Sequence, residues 1–200
     1  LSRGLGDVYK RQYKTHHKDG FLNLLIFGGS QGASFFSDII PDSINKLDNK
    51  KKSLLRVFHQ VRNNEFERVK KCYNSMNVKS EVKTFFYNLP ELLNNSHLLI
   101  SRSGASTVAE VAATKTPAIF IPFHHSIDDD QRLNTIDLEK IGQVIVKNEK
   151  KLDSNQLYKV IDELIEKPEI LEKMAKANKE IEANNSSEKI RSIIDDLLSN

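Results

Sequence analysis

Between Phe21 and Leu152 short, almost wholly apolar runs alternate with longer segments whose apolar residues recur every three or four positions. A run that is apolar on both faces of a strand has to be covered from both sides, and the amphipathic segments between the runs supply the cover. Few architectures satisfy both demands, so the pattern predicts a parallel sheet with helices on both faces, a Rossmann-like α/β fold. The expected strands are "FLNLLIF", "SLLRVFHQ", "EVKTFFY", "HLLIS", "PAIFIPF" and "QVIVK". Helices are expected from Ala33 to Leu47, Glu65 to Ser75, over "LPELLNN", from Ala105 to Ala113, and over "DQRLNTIDLEKIG" with Gly142 as its C-cap. Beyond Leu152 the period is helical, and Pro168 opens a new helix in its first turn. The lysine tract Lys50 to Lys52 reads as a solvated turn.

Composition narrows the class. The 200 residues are 38% hydrophobic and 28% charged with a net charge of +3, a balance too weak to point to nucleic acid. No run of eighteen apolar residues occurs, and the single Cys72 can close no internal disulfide, so a reducing cytoplasmic setting is expected, without a structural metal. The opening "LSRGLGDVYKRQ" follows neither period. It resembles a translated adapter artefact, so residues 1–20 are expected to be a non-native scar or disordered tail, with the true upstream protein missing. Residues 21–185 are then the ligand-binding domain. Residues 186–200, which begin within the polar break "ANNSSE", are expected to form one last helix with an apolar stripe of Ile190, Ile193, Ile194, Leu197 and Leu198.

Open parallel sheets bind ligands at the carboxyl ends of their strands, so the loops that matter lead from strand to helix. Three are unusually small and polar. In "FGGSQGA", Gly28, Gly29 and Gly32 let the backbone approach a ligand, with Ser30 and Gln31 between them. The spacing is neither GxGxxG nor a P-loop, which weakens dinucleotide and ATP readings. In "ISRSGASTVAE", Ser103, Gly104, Ala105, Ser106 and Thr107 open a helix with almost no side-chain bulk, a surface suited to a diphosphate. Glu110 has two readings here: with Thr107 it fits a capping box, and beside a nucleotide it could accept both hydroxyls of a ribose. In "PFHHSIDDDQRLN", His124, His125, Asp128, Asp129 and Asp130 hint at a metal. Neighbours in an extended segment point to opposite faces, so few of them could converge on one ion. Asp130, Gln131 and Asn134 instead suit a polyhydroxylated ligand, and N-capping explains the remaining aspartates.

"GGSQGA", the "FHQ" of Phe58 to Gln60, "SRSGASTVAE" and "PFHHSIDDDQRLN" follow one another in an order and spacing that resemble the C-terminal half of the MurG family. The resemblance runs from about Leu22 to Leu198. It implies the C-terminal, donor-binding domain of a two-domain glycosyltransferase of the GT-B kind. Such a transferase moves N-acetylglucosamine from UDP-N-acetylglucosamine to lipid I, making lipid II at the cytoplasmic face of the bacterial inner membrane. By the same resemblance Glu110 holds the ribose, Ser103 to Thr107 meet the diphosphate and sugar, and Phe85 and Phe86 border the uracil, the second through its backbone. Gln131 contacts sugar hydroxyls, and Ser30 and Gln31 face the cleft. The family commonly carries His-Gln or Gln-Gln where this chain has Asp130-Gln131, so the role of Asp130 is open. The lipid acceptor site, the membrane-facing patch and the proposed base belong to the family's other half. No catalytic residue is therefore expected in this chain, no cofactor is implied, and the last helix crosses back to that half.

Two other classes compete: a nicotinamide-dependent dehydrogenase domain and a non-catalytic nucleotide-sugar module. The first wants GxGxxG after the opening strand and a carboxylate about twenty positions on at a strand end. Here the glycines are spaced differently and the residues near Lys50 are basic.

Overall fold

The computed structural model describes residues 20–29, 34–123 and 129–177. Six strands form one parallel sheet: β1 (Leu22–Phe27), β2 (Leu55–Gln60), β3 (Lys79–Lys83), β4 (Leu98–Ser101), β5 (Ala118–Phe120) and β6 (Val144–Val146). Their spatial order is β3-β2-β1-β4-β5-β6, so the order reverses between β1 and β4. Leu25 pairs with Leu99 and Phe27 with Ser101 across that seam.

The strand pleat sorts β1 into two cores. Leu22, Leu24 and Ile26 pack with Phe36, Ile40 and Ile44 of α1 (Ser34–Asn45), Val69 and Tyr73 of α3 (Phe66–Ser75), and the helices α8 (Ser154–Glu166) and α9 (Pro168–Lys176). Leu25 faces the other side, with Leu93 of α4 (Leu89–Asn95), Val108 and Val111 of α5 (Ala105–Thr114) and Leu138 of α7 (Ile136–Lys140). Two apolar layers on opposite faces are what near-continuous apolar strands require.

Several boundaries differ from the expectation, each for a local reason. The third strand stops at Lys83, and Phe85 and Phe86 lie in the loop that crosses towards α4. Residues Lys50 to Lys52 form a helical turn, α2 (Asn49–Ser53), because Asp48 caps it through the Lys51 amide and Lys51 Nζ reaches Asp162 at 2.5 Å and Glu166 at 2.6 Å on α8. The segment expected as one helix to Gly142 splits into α6 (Asp130–Leu133) and α7, with the Thr135 hydroxyl donating to the Arg132 carbonyl at 2.8 Å between them. Gly142 does close α7 with a φ of +79°, a conformation that favours glycine. Pro41 sits inside α1 and leaves the Ser37 carbonyl without its helical donor. Arg68 Nη1 points at that oxygen from α3, at 3.4 Å.

Candidate functional site at the strand ends

The reversal between β1 and β4 opens a crevice at the carboxyl end of the sheet, where the loops after both strands diverge. On the β1 side the turn is Gly28-Gly29, and Gly29 has a φ of +91°, so a side chain there would be strained. Gln60, at the end of β2, donates from Nε2 to the Gly29 carbonyl at 3.1 Å and fixes this turn. Gln60 occupies the strand end where a dinucleotide site of this topology wants its carboxylate, a further argument against the nicotinamide reading. Ser30 and Gln31, expected to face the cleft, lie outside the described residues, as do His124, His125 and Asp128.

On the β4 side α5 begins at Ala105 with Gly104 as its N-cap, and no side chain caps it. The first amides of a helix lack an internal acceptor, so Gly104 to Thr107 present N–H groups and a partial positive charge to the crevice. This geometry bears on the capping reading of Glu110 alone. Thr107 is two residues inside the helix rather than at its N-cap, so the Thr107–Glu110 capping box does not form. Glu110 stands a full turn further along, half-buried, on the face opposite Val108 and Val111.

Ser103 differs from its neighbours because it is fully buried. Its hydroxyl donates to the Gln131 carbonyl at 2.8 Å and its own carbonyl accepts from Asn134 Nδ2 at 3.1 Å. Its side chain therefore ties the β4 loop to α6, and only its main chain is left to meet a ligand. Gln131 is oriented in turn by the Phe123 amide, which donates to its Oε1 at 2.9 Å. The Asp130 carboxylate accepts the Gln131 amide at 2.7 Å. Asp130 thus acts locally as the cap of α6, while Asp129, at the N-cap position with a φ of +57°, makes no side-chain cap bond.

The loop after β3 carries an aromatic group. Phe86 is 3% exposed, whereas Phe85 is 47% and Tyr87 93% exposed, their rings meeting edge to face at 4.8 Å between centroids. The Phe86 ring is thus packed into the fold. Since α4 and α5 share the core that contains Leu93, Val108 and Val111, this loop reaches the same end of the sheet as Gly104.

Two contributors were not singled out in the sequence. Arg102 is enclosed by the loops around it, and Glu149, in a 3-10 turn (Glu149–Lys151), pairs with it at 2.8 Å. The signal for Arg102 was its place inside the small-residue loop, where a long cation is out of character. Nothing local marks Glu149, because it lies 47 positions away. A cleft of about 430 Å³ opens beside this pair, between Phe123, Arg132, Lys147 and Lys150.

Among the described residues no group of three or more His, Cys, Asp or Glu could hold a metal ion, and no helix is long and apolar enough to cross a membrane.

A doubly wound sheet with a crevice at its switch point, bordered by a helix start without a side-chain cap and a half-buried carboxylate, defines a Rossmann-like α/β domain. Residues 23–196 match the model of the glycosyltransferase family 28 C-terminal domain, and the chain belongs to that family. It is 40% identical over 160 residues to the UDP-N-acetylglucosamine--N-acetylmuramyl-(pentapeptide) pyrophosphoryl-undecaprenol N-acetylglucosamine transferase of Bartonella quintana, covering 80% of this chain and 42% of that protein. The transferase of the same name from Caulobacter vibrioides is 37% identical over 174 residues, 87% of this chain and 48% of that protein. The crystal structure of Acinetobacter baumannii MurG superposes with a TM-score of 0.73 at 28% identity, covering 82% of this chain and 49% of that one. A glycosyltransferase of kitacinnamycin, at 15% identity and a TM-score of 0.64, shares the fold. The chain spans less than half the length of the curated relatives it matches.

Proposed function

We propose that this chain is the donor-binding half of a hexosyltransferase that carries N-acetylglucosamine from UDP-N-acetylglucosamine to lipid I, forming lipid II at the cytoplasmic face of the bacterial inner membrane. The observation that carries the reading is the start of α5, which has no side-chain cap among the described residues, with Glu110 one turn on and half-buried. The amides suit a diphosphate, and the carboxylate suits the paired hydroxyls of a ribose, in the order in which a nucleoside diphosphate presents them. Phe85 and the Phe86 backbone would border the base, and Gln131, with Ser30 and Gln31, would meet the sugar.

In glycosyl transfer the departing UDP gains negative charge. The α5 start is a fixed array of donors aimed at that charge, and it needs no reorganisation as the bond breaks. The acceptor hydroxyl must also be held in line and deprotonated, and the regions of the relatives that would do so are those this chain does not match. Membrane attachment and acceptor binding are assigned to those regions; residues 186–200, expected to cross back to them, lie outside the described residues.

Calorimetric titration of the chain with UDP and with UMP tests the reading. The second phosphate is what the α5 amides meet, so UDP is expected to bind at least about ten-fold more tightly, the equivalent of one charge-assisted hydrogen bond. Equal affinities would remove the diphosphate from this loop.

A further inference from the structure

Arg102 lies between Ser101, the last residue of β4, and Ser103, whose hydroxyl is committed to α6. Its guanidinium is enclosed on every side that the structure describes. Nη1 donates to the Ile121 carbonyl at 3.0 Å and points at that of Pro122 at 3.4 Å, both on the exit of β5. Nη2 donates to Glu149 Oε1 at 2.8 Å, on the exit of β6. The rings of Phe35 and Phe36, at the start of α1, and of Phe123 have centroids 5.6, 5.0 and 5.3 Å from its central carbon. Only 11% of the Arg102 side chain and 10% of the Glu149 side chain remain accessible.

One planar group therefore joins the exits of three consecutive strands to the helix that follows β1. A planar fork spreads its donors between two carbonyls and a carboxylate at fixed spacing while its face stacks on rings, a reach and flatness that the compact ammonium of a lysine lacks. Its charge is also balanced internally by Glu149.

Resting on the donor-site reading above, the geometry points to Arg102 as a positioning residue for the donor diphosphate, one that holds the Ser103–Thr107 loop in place through Glu149 and the β5 carbonyls without touching the phosphates itself. Direct contact and positioning differ in sign. Were Arg102 a phosphate ligand, removing the Glu149 carboxylate would free its charge and tighten UDP binding. As a positioner, it loses an anchor and the loop loosens, so UDP binding weakens.

The test titrates wild-type chain, Arg102→Lys and Glu149→Ala with UDP and UMP, beside melting curves. Wild-type preference for UDP is the control; its absence fails the donor reading, not this one. In Arg102→Lys the cation stays but the fork is lost, so the UDP-over-UMP ratio is expected to fall by about ten-fold with UMP affinity within about two-fold of wild type. Glu149→Ala is expected to lower the ratio in the same direction. A role confined to stability would instead lower the melting temperature and leave the ratio intact. An unchanged ratio in Arg102→Lys, or a ratio in Glu149→Ala equal to or above that of the wild type, overturns the assignment.

Discussion

Ser103 Oγ donates to the main-chain carbonyl of Gln131 at 2.8 Å, binding the loop after β4 to the first turn of α6. Asn134 returns the bond through its side chain to the Ser103 carbonyl. A loop of small residues would otherwise be soft, and this reciprocal pair makes it a defined surface next to the α5 amides. The Ser103→Ala variant deletes a buried hydroxyl and takes this donor from the part-buried Gln131 carbonyl, which is expected to cost ~0.5–1.5 kcal/mol of stability. Urea unfolding monitored by circular dichroism measures it, and a midpoint equal to that of the wild type would show the bond to be dispensable.

Glu110→Gln separates ligand binding from helix stability. Because Glu110 does not cap α5, the substitution should leave the melting temperature within a degree or so, in keeping with a surface change of under ~0.5 kcal/mol. Losing charge-assisted acceptance from the ribose should weaken UDP by ~1.5–3 kcal/mol. A variant that binds UDP normally but melts early would return Glu110 to a structural role.

His59 gives the fold a pH dependence of predictable sign. Its ring lies wholly buried on β2, with Nδ1 2.9 Å from the Tyr73 hydroxyl and Nε2 unpartnered among the described residues. Burial pushes its pKa down to about 3, so the folded state keeps the ring neutral while the unfolded chain takes up a proton below its ordinary value of 6.5. Stability tied to this group is complete above pH 6.5 and is lost progressively as the pH falls towards 3. Between pH 7.5 and 5.0 the loss should be about 2 kcal/mol, since 1.5 pH units below 6.5 are crossed at ~1.4 kcal/mol each. Unfolding free energies of the wild type and of His59→Gln at the two pH values check this. A wild-type difference no larger than that of the variant would show that the ring does not resist protonation.

Glycosyl transfer is the strictest trial of the assignment to one half of an enzyme. With labelled UDP-N-acetylglucosamine and lipid I, the chain alone should bind donor yet form no lipid II above background. Orientation of the acceptor is worth ~7–11 kcal/mol, or roughly five to eight powers of ten in rate. Transfer at a rate comparable to that of a complete relative would place the catalytic groups in this half.

The sheet and its helices could be read in the sequence because their causes are local. The apolar runs of β1 and β4 require cover on both faces whatever surrounds them, and "LPELLNN" forms α4 over the expected residues, Leu89 to Asn95. The turn from β4 into α5 was equally plain, since an apolar run that gives way to small residues marks where the strand ends and the next helix begins, at Ala105.

What the sequence could not decide were relations between distant residues. The capping reading of Glu110 stood until the helix start at Ala105 placed Thr107 inside the helix and removed the capping box. The Ser103 hydroxyl donates to the Gln131 carbonyl and the Arg102 guanidinium to Glu149, two strands further on, and no neighbouring residue marks either pairing. Periodicity records which face of an element is apolar, because that depends on near neighbours. The fate of a polar side chain is set by whichever acceptor the tertiary fold brings within about 3 Å, and that distance is not written in the order of the residues.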